Sequence, residues 1–261
     1  MLTSFYAVPR ITTRFWAVVQ RNLLVWRKLA IPSVIGNIAE PLITLVAFGY
    51  GLGSMIGQVQ GRPYVEFLAS GMVTVSAVLA ATFEGLYSAY SRMAVQKTWD
   101  GILNAPVGLD DIVFAEMLWA ALKALFSCAA ILGVIYLLGL SRSAGMILAL
   151  GVLGLVGITF ASLALVFNAL ANGYDFFTYY FTLVITPMTF LSGVYFPIEQ
   201  MPEWLQSIAQ VLPLTAAVEL VRPLVLGETP AEWFRPLAML LGYALAGYYV
   251  ALVLTRRRFF H

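Results

Sequence analysis

Long apolar blocks joined by short polar connections make up most of this chain. A helix needs roughly 20 mostly apolar residues to cross the hydrocarbon core of a bilayer. Six blocks are long enough, and we predict that each forms a membrane-spanning helix. Their predicted bounds are residues 31–56, 64–91, 112–140, 145–170, 176–196 and 237–254. The chain is therefore expected to be an all-α integral membrane protein with a single transmembrane domain over residues 1–261.

Residues 197–233, between predicted spans five and six, do not fit a simple span. This segment contains five prolines and two short apolar runs, at residues 204–212 and 214–226. Each run is too short to cross a bilayer, and proline ends or kinks a helix. We expect a pair of short re-entrant or interfacial helices on the outer face of the membrane. An ordinary exposed loop is the alternative.

Residues 13–29 form a basic, amphipathic stretch ahead of the first predicted span. Arg14, Arg21 and Lys28 recur every seven residues, so they share one face of a helix. Aromatic and aliphatic side chains fill much of the remaining surface. A helix of this kind lies in the membrane interface and directs its cations toward anionic lipid headgroups. We predict such an interface helix within residues 10–30, and the alternative is a simple positively charged leader.

The distribution of lysine and arginine predicts the orientation. If both termini lie on one side, ten of these residues flank the spans on that side and four on the other. The ten are Arg10, Arg14, Arg21, Arg27, Lys28, Arg92, Lys97, Arg256, Arg257 and Arg258. Short cytoplasmic flanks carry the excess of positive charge, so we expect both termini in the cytoplasm. The first apolar block is too long for a cleavable signal peptide, and we expect the mature chain to keep it.

Composition agrees with a membrane protein and excludes several kinds of enzyme site. Charged residues make up 11% of the chain, against about 25% in soluble domains. The single cysteine, Cys128, and the single histidine, His261, cannot supply a zinc site or a nucleophile with its base. No Gly-Lys pair occurs, so the chain lacks the usual phosphate-binding loop of ATPases. We expect no catalytic, metal or cofactor site in this chain.

Four ionisable residues stand out in the predicted spans. They are Glu40, Glu84, Glu116 and Lys123. A charge at membrane depth is costly, so such residues are functional candidates. Glu116 and Lys123 are seven residues apart and share one face of the third span. We predict that Lys123 faces the helix bundle and pairs with one of the three carboxylates. The alternatives are that Lys123 snorkels to the interface on its own stem, or that it contacts a substrate directly.

The longest connection predicted on the inner side, residues 92–106, is a candidate docking site for a partner protein. Residues 93–103 can form a short helix with Trp99 and Ile102 on its surface. An exposed tryptophan ringed by polar side chains is typical of an interface hot spot. The alternative is a solvated loop whose Trp99 anchors at the lipid headgroups.

Aromatic side chains gather at the inner end of the fifth predicted span. They are Tyr174, Phe176, Phe177, Tyr179, Tyr180 and Phe181. Most are expected to belong to the aromatic belt found at membrane–water interfaces. The alternative is that some of them line a path for an amphiphile or a sugar ring.

Several motifs occur in an order typical of one protein family. They are A-T-F-E at residues 81–84, Q-K-T-W-D at 96–100, L-D-D-I-V-F-A-E at 109–116, Y-D-F-F at 174–177, T-L-V-I-T-P at 182–187, F-L-S-G-V-Y-F-P at 190–197 and R-P-L-V-L-G at 222–227. On these motifs the chain resembles, over nearly its whole length, the type-two ABC exporter permeases. Within that family it is most similar to the permeases of nodulation-type lipooligosaccharide exporters.

The resemblance implies a six-span fold, an interface helix before span one, and short re-entrant outer helices before span six. It also implies a coupling helix between spans two and three, which contacts an ATPase subunit. The residues at or beside this helix are Gln96, Lys97, Thr98, Trp99, Asp100 and Ile102. Two permease copies are expected to pair as a homodimer and to sit on two ATPase subunits, which bind ATP and Mg²⁺. The substrate path would lie between spans one, two and five of the pair.

By this resemblance, the chain is expected to be the permease subunit of an ATP-driven exporter in a bacterial inner membrane. Its cargo would be an amphiphile, such as a lipooligosaccharide or another glycolipid, taken from the cytoplasm or the inner leaflet. One alternative is an exporter of drugs or small amphiphiles in the same superfamily. Another is an ion-coupled secondary transporter, but we find neither the internal repeats nor the midplane half-helices common in that class. Membrane lipids are expected partners, and nucleic acid is not.

Overall fold

The computed structural model describes residues 5–260, except for the side chains of residues 34 and 37. Within this part, the helices in chain order are α1 (Phe15–Arg27), α2 (Ala30–Ile56), α3 (Tyr64–Val95), α4 (Thr98–Leu103), α5 (Leu109–Leu137), α6 (Gly145–Leu170), α7 (175–191), α8 (Glu203–Ala209), α9 (Pro213–Leu226) and α10 (Phe234–Phe260). Strands β1 (Gln58–Val59) and β2 (Arg62–Pro63) form a hairpin between α2 and α3, and a 3₁₀ turn covers Ile198–Gln200.

Five of these helices are long and apolar enough to cross a membrane, namely α2, α3, α5, α6 and α10. Helix α7 runs without a break from Asp175 to Leu191. At 1.5 Å per residue it is about 25 Å long, which is short for a span but within the observed range. Counting α7 gives the six predicted spans, and the prediction of an all-α membrane protein is confirmed.

Both ends of the described chain lie at the same end of the helix bundle, which we call the inner end. Arg256, near the end of α10, donates hydrogen bonds to the carbonyl oxygens of Phe5 (3.0 Å) and Ala7 (2.7 Å). Its Nε also donates to Oδ1 of Asp110 at the start of α5, over 3.0 Å. Because the two ends lie together, the chain crosses the bundle an even number of times, as six spans require.

Helices α8 and α9 form the predicted pair of short helices, at the opposite end of the bundle, which we call the outer end. Their axes differ by 84°. Neither helix is long enough to cross a bilayer, and a crossing by the pair would make the number of crossings odd. Helix α9 packs against α3, α6 and α10, so it belongs to the bundle and the alternative of an exposed loop is wrong. It ends at Gly227, whose φ of +86° is the left-handed conformation that favours glycine.

The short polar connection between α2 and α3 is a β-hairpin. Gln58 lies opposite Pro63 in an antiparallel pair. The two residues at the tip, Gln60 and Gly61, have φ values of +52° and +77°. Two left-handed residues in succession are what a tight two-residue hairpin turn requires. The hairpin therefore fixes how the first span leads into the second at the outer end.

Helix α3 is the most buried span, and α2 is the least buried. Of the apolar window in α3, 83% is buried inside the chain, against 12% in α2. Small residues bring α3, α5 and α6 close together. A Cβ added at Gly85 would lie 2.8 Å from Cβ of Ala164, and one at Gly157 would lie 3.1 Å from Cα of Ala121. Membrane helices pack closely at such small residues, so these three helices form the centre of the bundle.

Helix α3 changes its winding as it approaches the inner end. Two π-helical turns, Glu84–Ser88 and Ser91–Val95, carry it beyond its predicted end at residue 91. A π turn accommodates an extra residue and shifts the side chains that follow it around the axis, and such turns are frequent at functional sites. Helices α2 and α7 contain π turns as well, at Leu45–Leu52 and Phe181–Ile185.

The aromatic cluster at the start of α7 is divided between the core and the surface. Phe177 and Tyr180 are buried, whereas Tyr179 is 64% exposed. The ring of Phe177 packs edge-on against Tyr87 (5.1 Å between centroids) and Tyr90 (5.3 Å) of α3. An interfacial belt therefore does not account for the buried members. Phe177 holds α7 against α3, and the ring of Tyr180 lies 4.2 Å from that of Phe167 on α6.

Candidate functional site

Helix α4 occupies the predicted coupling position, between the second and third spans. Lys97 has a left-handed backbone conformation (φ +50°) and separates α4 from α3. Positive φ is uncommon for a residue with a Cβ, and here it turns the chain sharply between the two helices. Gln96, Lys97 and Asp100 are exposed, and Thr98 and Ile102 are half-buried. Helix α4 therefore presents a mainly polar surface at the inner end.

Trp99 is buried in its own chain, so the prediction that it is an exposed anchor is wrong. The residue is 1% exposed, and its ring centre lies 5.9 Å from that of Phe259, near the end of α10. Its indole Nε1–H donates a hydrogen bond of 3.2 Å to Oε1 of Glu116 on α5. A buried tryptophan needs a partner for its N–H, and here a carboxylate provides it. Trp99 therefore joins α4 to the spans of its own chain.

Four charged side chains beside Trp99 form a chain of ion pairs with alternating sign. Nε of Arg92 donates to Glu116 over 2.9 Å, and its Nη2 donates to Glu84 over 2.8 Å. Nζ of Lys123 donates to the other oxygen of Glu84, over 2.7 Å. Both carboxylates are buried, at 3% exposure for Glu84 and 2% for Glu116. We call Glu84, Arg92, Glu116 and Lys123 the inner charge cluster. Its two negative and two positive charges balance, as buried charges must.

The structure shows which of the three predicted carboxylates pairs with Lys123. Lys123 pairs with Glu84, so the predicted ion pair is confirmed and Lys123 does not snorkel alone. Glu116 belongs to the same cluster, but through Arg92. Glu40 is exposed on α2 and forms no ion pair with any residue that the structure describes. Within the same residues, no group of three acidic, cysteine or histidine side chains is placed to hold a metal ion.

The spacing of residues on α3 and α5 explains why these side chains meet. Glu116, Trp119 and Lys123 are separated by three and four residues, so they share one face of α5. The indole Nε1–H of Trp119 donates to Oε1 of Glu84 over 2.9 Å. Glu84 and Arg92 are eight residues apart, so in a regular α-helix their side chains would lie about 80° apart around the axis. The π turn that begins at Glu84 changes this rotation and brings both side chains toward α5.

Arg92 and Trp119 belong to the site but are not among its predicted residues. Arg92 is counted above as a flanking charge in the cytoplasm. In the structure it lies at the inner end of α3 with its side chain 14% exposed, so this inner-side charge is part of the buried site. Trp119 could have been predicted as a site residue, because its spacing places it on the same face of α5 as Glu116 and Lys123. Nothing in the sequence marks the π turns that extend α3 to Arg92.

Helix α1 packs against α5 beside the cluster. Val18 and Val19 of α1 form a buried apolar cluster with Ala115 and Trp119 of α5. Farther along, the ring of Trp26 stacks on Phe126 with 5.2 Å between centroids. The predicted amphipathic helix is therefore present, and its apolar side is attached to the third span. Its depth in a membrane interface stays a prediction.

A groove of about 310 Å³ lies between α2, α3 and α7. Glu40 lines it, together with Met72 of α3, Phe181 of α7 and Tyr195. Apolar and aromatic walls with few polar groups are typical of sites for apolar or amphiphilic ligands. The groove lies between spans one, two and five, where the sequence resemblance implies a substrate path.

Known proteins similar to this chain match it over most of its length. The family model described as ABC-2 type transporter matches residues 13–226. Nodulation protein J of Rhizobium leguminosarum bv. viciae is 45% identical over 242 residues, which cover 93% of each chain. Nodulation protein J of Rhizobium meliloti (strain 1021) is 42% identical over 252 residues, 97% of this chain and 96% of that protein. The inner membrane transport permease YadH of Escherichia coli (strain K12) is 22% identical over 240 residues, 92% of this chain and 91% of that protein. The chain therefore belongs to the ABC-2 type transporter family and is the membrane permease subunit of an ABC transporter.

Proposed function

We propose that this permease exports an amphiphile of the lipooligosaccharide or glycolipid class across the inner membrane of a bacterium. The amphiphile enters from the cytoplasm or the inner leaflet. Support comes from two sources: the motifs resemble nodulation-type exporters, and relatives named nodulation protein J match at least 93% of the chain at 42% and 45% identity. Membership of the family gives no support to ion-coupled secondary transport.

The energy comes from ATP hydrolysed by a partner subunit. Permeases of this family work with an ABC ATPase, and this chain has no Gly-Lys pair from which to build a phosphate-binding loop. ATP and Mg²⁺ therefore bind to the ATPase, of which the complex has two copies. Helix α4 and the two residues before it form the docking element, in which Gln96, Lys97 and Asp100 are exposed. These residues face the ATPase, and both termini lie in the cytoplasm.

The observation that supports coupling to the ATPase is the link between α4 and the inner charge cluster. Trp99 bonds to Glu116 of α5, and Glu116 is paired with Arg92 of α3. A displacement of α4 acts on α3 and α5 together, because close-packed interiors transmit strain and separating a buried ion pair is costly. ATP-driven closure of the two ATPase subunits moves α4, and the cluster passes this motion to the two central spans.

A second copy of the chain completes the transport path. Helix α2 is 12% buried in the single chain, and its exposed side chains are largely apolar. Glu40 lines the groove at one edge of this exposed helix. A carboxylate that faces lipid is costly, and a second copy set against this face removes Glu40 from the lipid. The paired grooves then form a continuous path between the two permeases.

The test is reconstitution of the purified permease with its ATPase in lipid vesicles. We expect a fluorescent lipooligosaccharide to accumulate in the vesicle lumen in proportion to the ATP hydrolysed by complexes whose ATPase faces outward. The controls are vesicles without the ATPase and vesicles with an ATPase that lacks its phosphate-loop lysine. Accumulation without the ATPase would contradict the proposal. Transport of small cationic drugs but not of glycolipids would favour the drug exporter instead.

A further inference from the structure

A second cavity lies at the inner end, between α1, the start of α2, α3 and α5. Its volume is about 410 Å³, which is within the range of small-ligand sites. No described residue lines both this cavity and the groove at Glu40. One wall belongs to the inner charge cluster, and Arg21 and Asn22 of α1 form part of the facing wall. The cavity is thus separate from the groove, and three members of the inner charge cluster form part of its wall.

The cavity carries an excess of positive charge. Arg21, Arg92 and Lys123 line it, and Glu84 is the one carboxylate among the described lining residues. Glu116, which does not line the cavity, pairs with Arg92. Glu84 pairs with Lys123 as well as with Arg92. Arg21 is left with the neutral oxygen of Asn22, at 3.1 Å. Burial and the like charge of Arg92 lower the pKa of Arg21 from its ordinary value. An anion in the cavity would relieve this repulsion.

Several hydrogen-bond donors in the cavity wall have no acceptor. Asn22 is 3% exposed, and its Nδ2 has no hydrogen-bond partner in the part of the chain that the structure describes. The same holds for Nε1 of Trp26. The ammonium of Lys123 has three donors and one bond within these residues, to Glu84. Buried polar groups in native proteins are normally paired, and a set made up of donors is complementary to an anion.

The remaining walls indicate that the ligand also has an apolar part. Val25 and Leu29 line the cavity where α1 leads into α2, and they are 56% and 62% exposed. An interface helix lies at the boundary between headgroups and acyl chains, so these side chains face the inner leaflet. A free anion would leave them uncovered, whereas an amphiphile covers them with its chain.

We propose that this cavity binds the anionic headgroup of an amphiphile, with Arg21 and Lys123 as its cationic ligands and Asn22 and Trp26 as neutral donors. The group recognised is a phosphate, sulfate or carboxylate attached to an apolar chain. It belongs either to a lipid of the inner leaflet or to the transported cargo. In the second case the inference rests on the proposed function and names the charge of its substrate.

Binding is measured on the purified permease–ATPase complex in neutral detergent, without ATP. The probes are dihexanoyl-phosphatidylglycerol, dihexanoyl-phosphatidylcholine and inorganic phosphate, each competing with a fluorescent phosphatidylglycerol analogue. We expect the anionic amphiphile to bind about tenfold or more tightly than the other two, as charge-assisted hydrogen bonds imply. Equal affinity for phosphatidylcholine would overturn the proposal. So would equal affinity for phosphate alone, because the apolar walls would then contribute nothing.

Substitutions in α1 locate the site. Arg21→Gln removes a cation from the cavity and is expected to lower the affinity for phosphatidylglycerol about tenfold, while Arg21→Lys restores most of it. Arg27→Gln is the matched control, since Arg27 is exposed on the same helix and does not line the cavity. It is expected to change the affinity less than about twofold. Equal losses in Arg21→Gln and Arg27→Gln would overturn the proposal.

A second variant approaches the cavity from its other wall. Ser88→Glu places a carboxylate among the lining residues and is expected to exclude the anionic probe. Size-exclusion chromatography with the ATPase shows whether each variant is assembled. If assembled Ser88→Glu and Arg21→Gln both bind phosphatidylglycerol as the native chain does, the proposal is wrong.

Turnover distinguishes the two sources of the headgroup. A resident lipid stays bound when ATP is added, whereas a cargo headgroup leaves the site and appears across the vesicle membrane. Either result supports a site for an anionic headgroup. Because binding is measured without ATP, a failure of transport would contradict the proposed function and leave the binding result standing.

Discussion

The two ends of the helix bundle hold buried charge in different ways. At the inner end, four charges alternate in sign and neutralise one another. At the outer end, Arg222 of α9 forms no ion pair with any described residue. Its Nη2 donates to the carbonyl oxygens of Gly193 (2.8 Å) and Val194 (3.2 Å). Its Nε donates to Ser70 of α3 over 3.2 Å, and the guanidinium lies 3.8 Å from the ring centre of Phe67.

This difference separates an anchor from a linkage. Neutral acceptors and an aromatic face hold Arg222 in place, so α9 is fixed to α3 without a second charge. In the inner charge cluster, Arg92 touches both carboxylates and Glu84 touches both cations. A shift of one member therefore changes the environment of the others, as in coupled hydrogen-bond networks. The inner end is suited to transmitting motion, and the outer end to holding two elements together.

The largest effect on stability is expected from Glu84→Gln. Glu84 accepts hydrogen bonds from Arg92, Lys123 and Trp119. The substitution removes its negative charge, so the two cations of the cluster share the single carboxylate of Glu116. We expect the free energy of unfolding to fall by about 3–5 kcal/mol, the usual cost of breaking a buried ion pair. The measurement is reversible unfolding of the purified permease in mixed micelles. Glu40→Gln makes the same change on the exposed face of α2 and should not lower the free energy of unfolding, because no described cation is paired with Glu40.

Lys123→Met tests whether this cost belongs to the pair. The double variant with Glu84→Gln removes both partners and leaves Arg92 balanced by Glu116. We therefore expect it to lose about 1–3 kcal/mol less than the sum of the two single variants. Additive losses would mean that the two charges do not interact. Full stability and transport in Lys123→Met alone would remove the ion pair from the mechanism.

A smaller effect is expected at the outer end. Arg222→Gln removes the donor that two backbone carbonyl oxygens use. It leaves no unpaired negative charge, because Arg222 forms no ion pair with a described residue. The expected loss of unfolding free energy is about 1–3 kcal/mol, measured in the same micelles. Combined with Glu84→Gln, the losses should add to within about 0.5 kcal/mol, because the two sites lie at opposite ends of the bundle. A clear departure from additivity would contradict the separation of anchor and linkage.

The spans and their order could be predicted from the sequence because the length and hydropathy of a block are local properties. Helix α6 has its predicted bounds, and α10 begins at Phe234 and ends at Phe260, beyond the predicted residues 237–254. The pair α8 and α9 also follows from local features, since prolines interrupt two short apolar runs. The hairpin at Gln60 and Gly61 adds a turn geometry that the composition of the segment does not specify.

The site could be predicted only in part, because it depends on how separate helices face one another. Glu84 and Lys123 stand out as charges in apolar blocks, but their pairing requires the rotation of α3 against α5. Helix α4 has six residues, too few to show which side is buried. The burial of Trp99 depends instead on Phe259, at the far end of the chain. Arg92 reaches the cluster because π turns extend α3, and no hydrophobic period marks those turns.

In the proposed coupling mechanism, α4 acts on the spans through the hydrogen bond from Trp99 to Glu116, and Trp99→Phe removes this bond while keeping an aromatic ring. The phenyl ring keeps the contact with Phe259, so stability should fall by only about 1 kcal/mol and the ATPase should still bind. The measurement is the number of cargo molecules transported per ATP hydrolysed in reconstituted vesicles. We expect this ratio to fall several-fold while ATP hydrolysis continues. A ratio equal to that of the native chain would contradict coupling through the inner charge cluster.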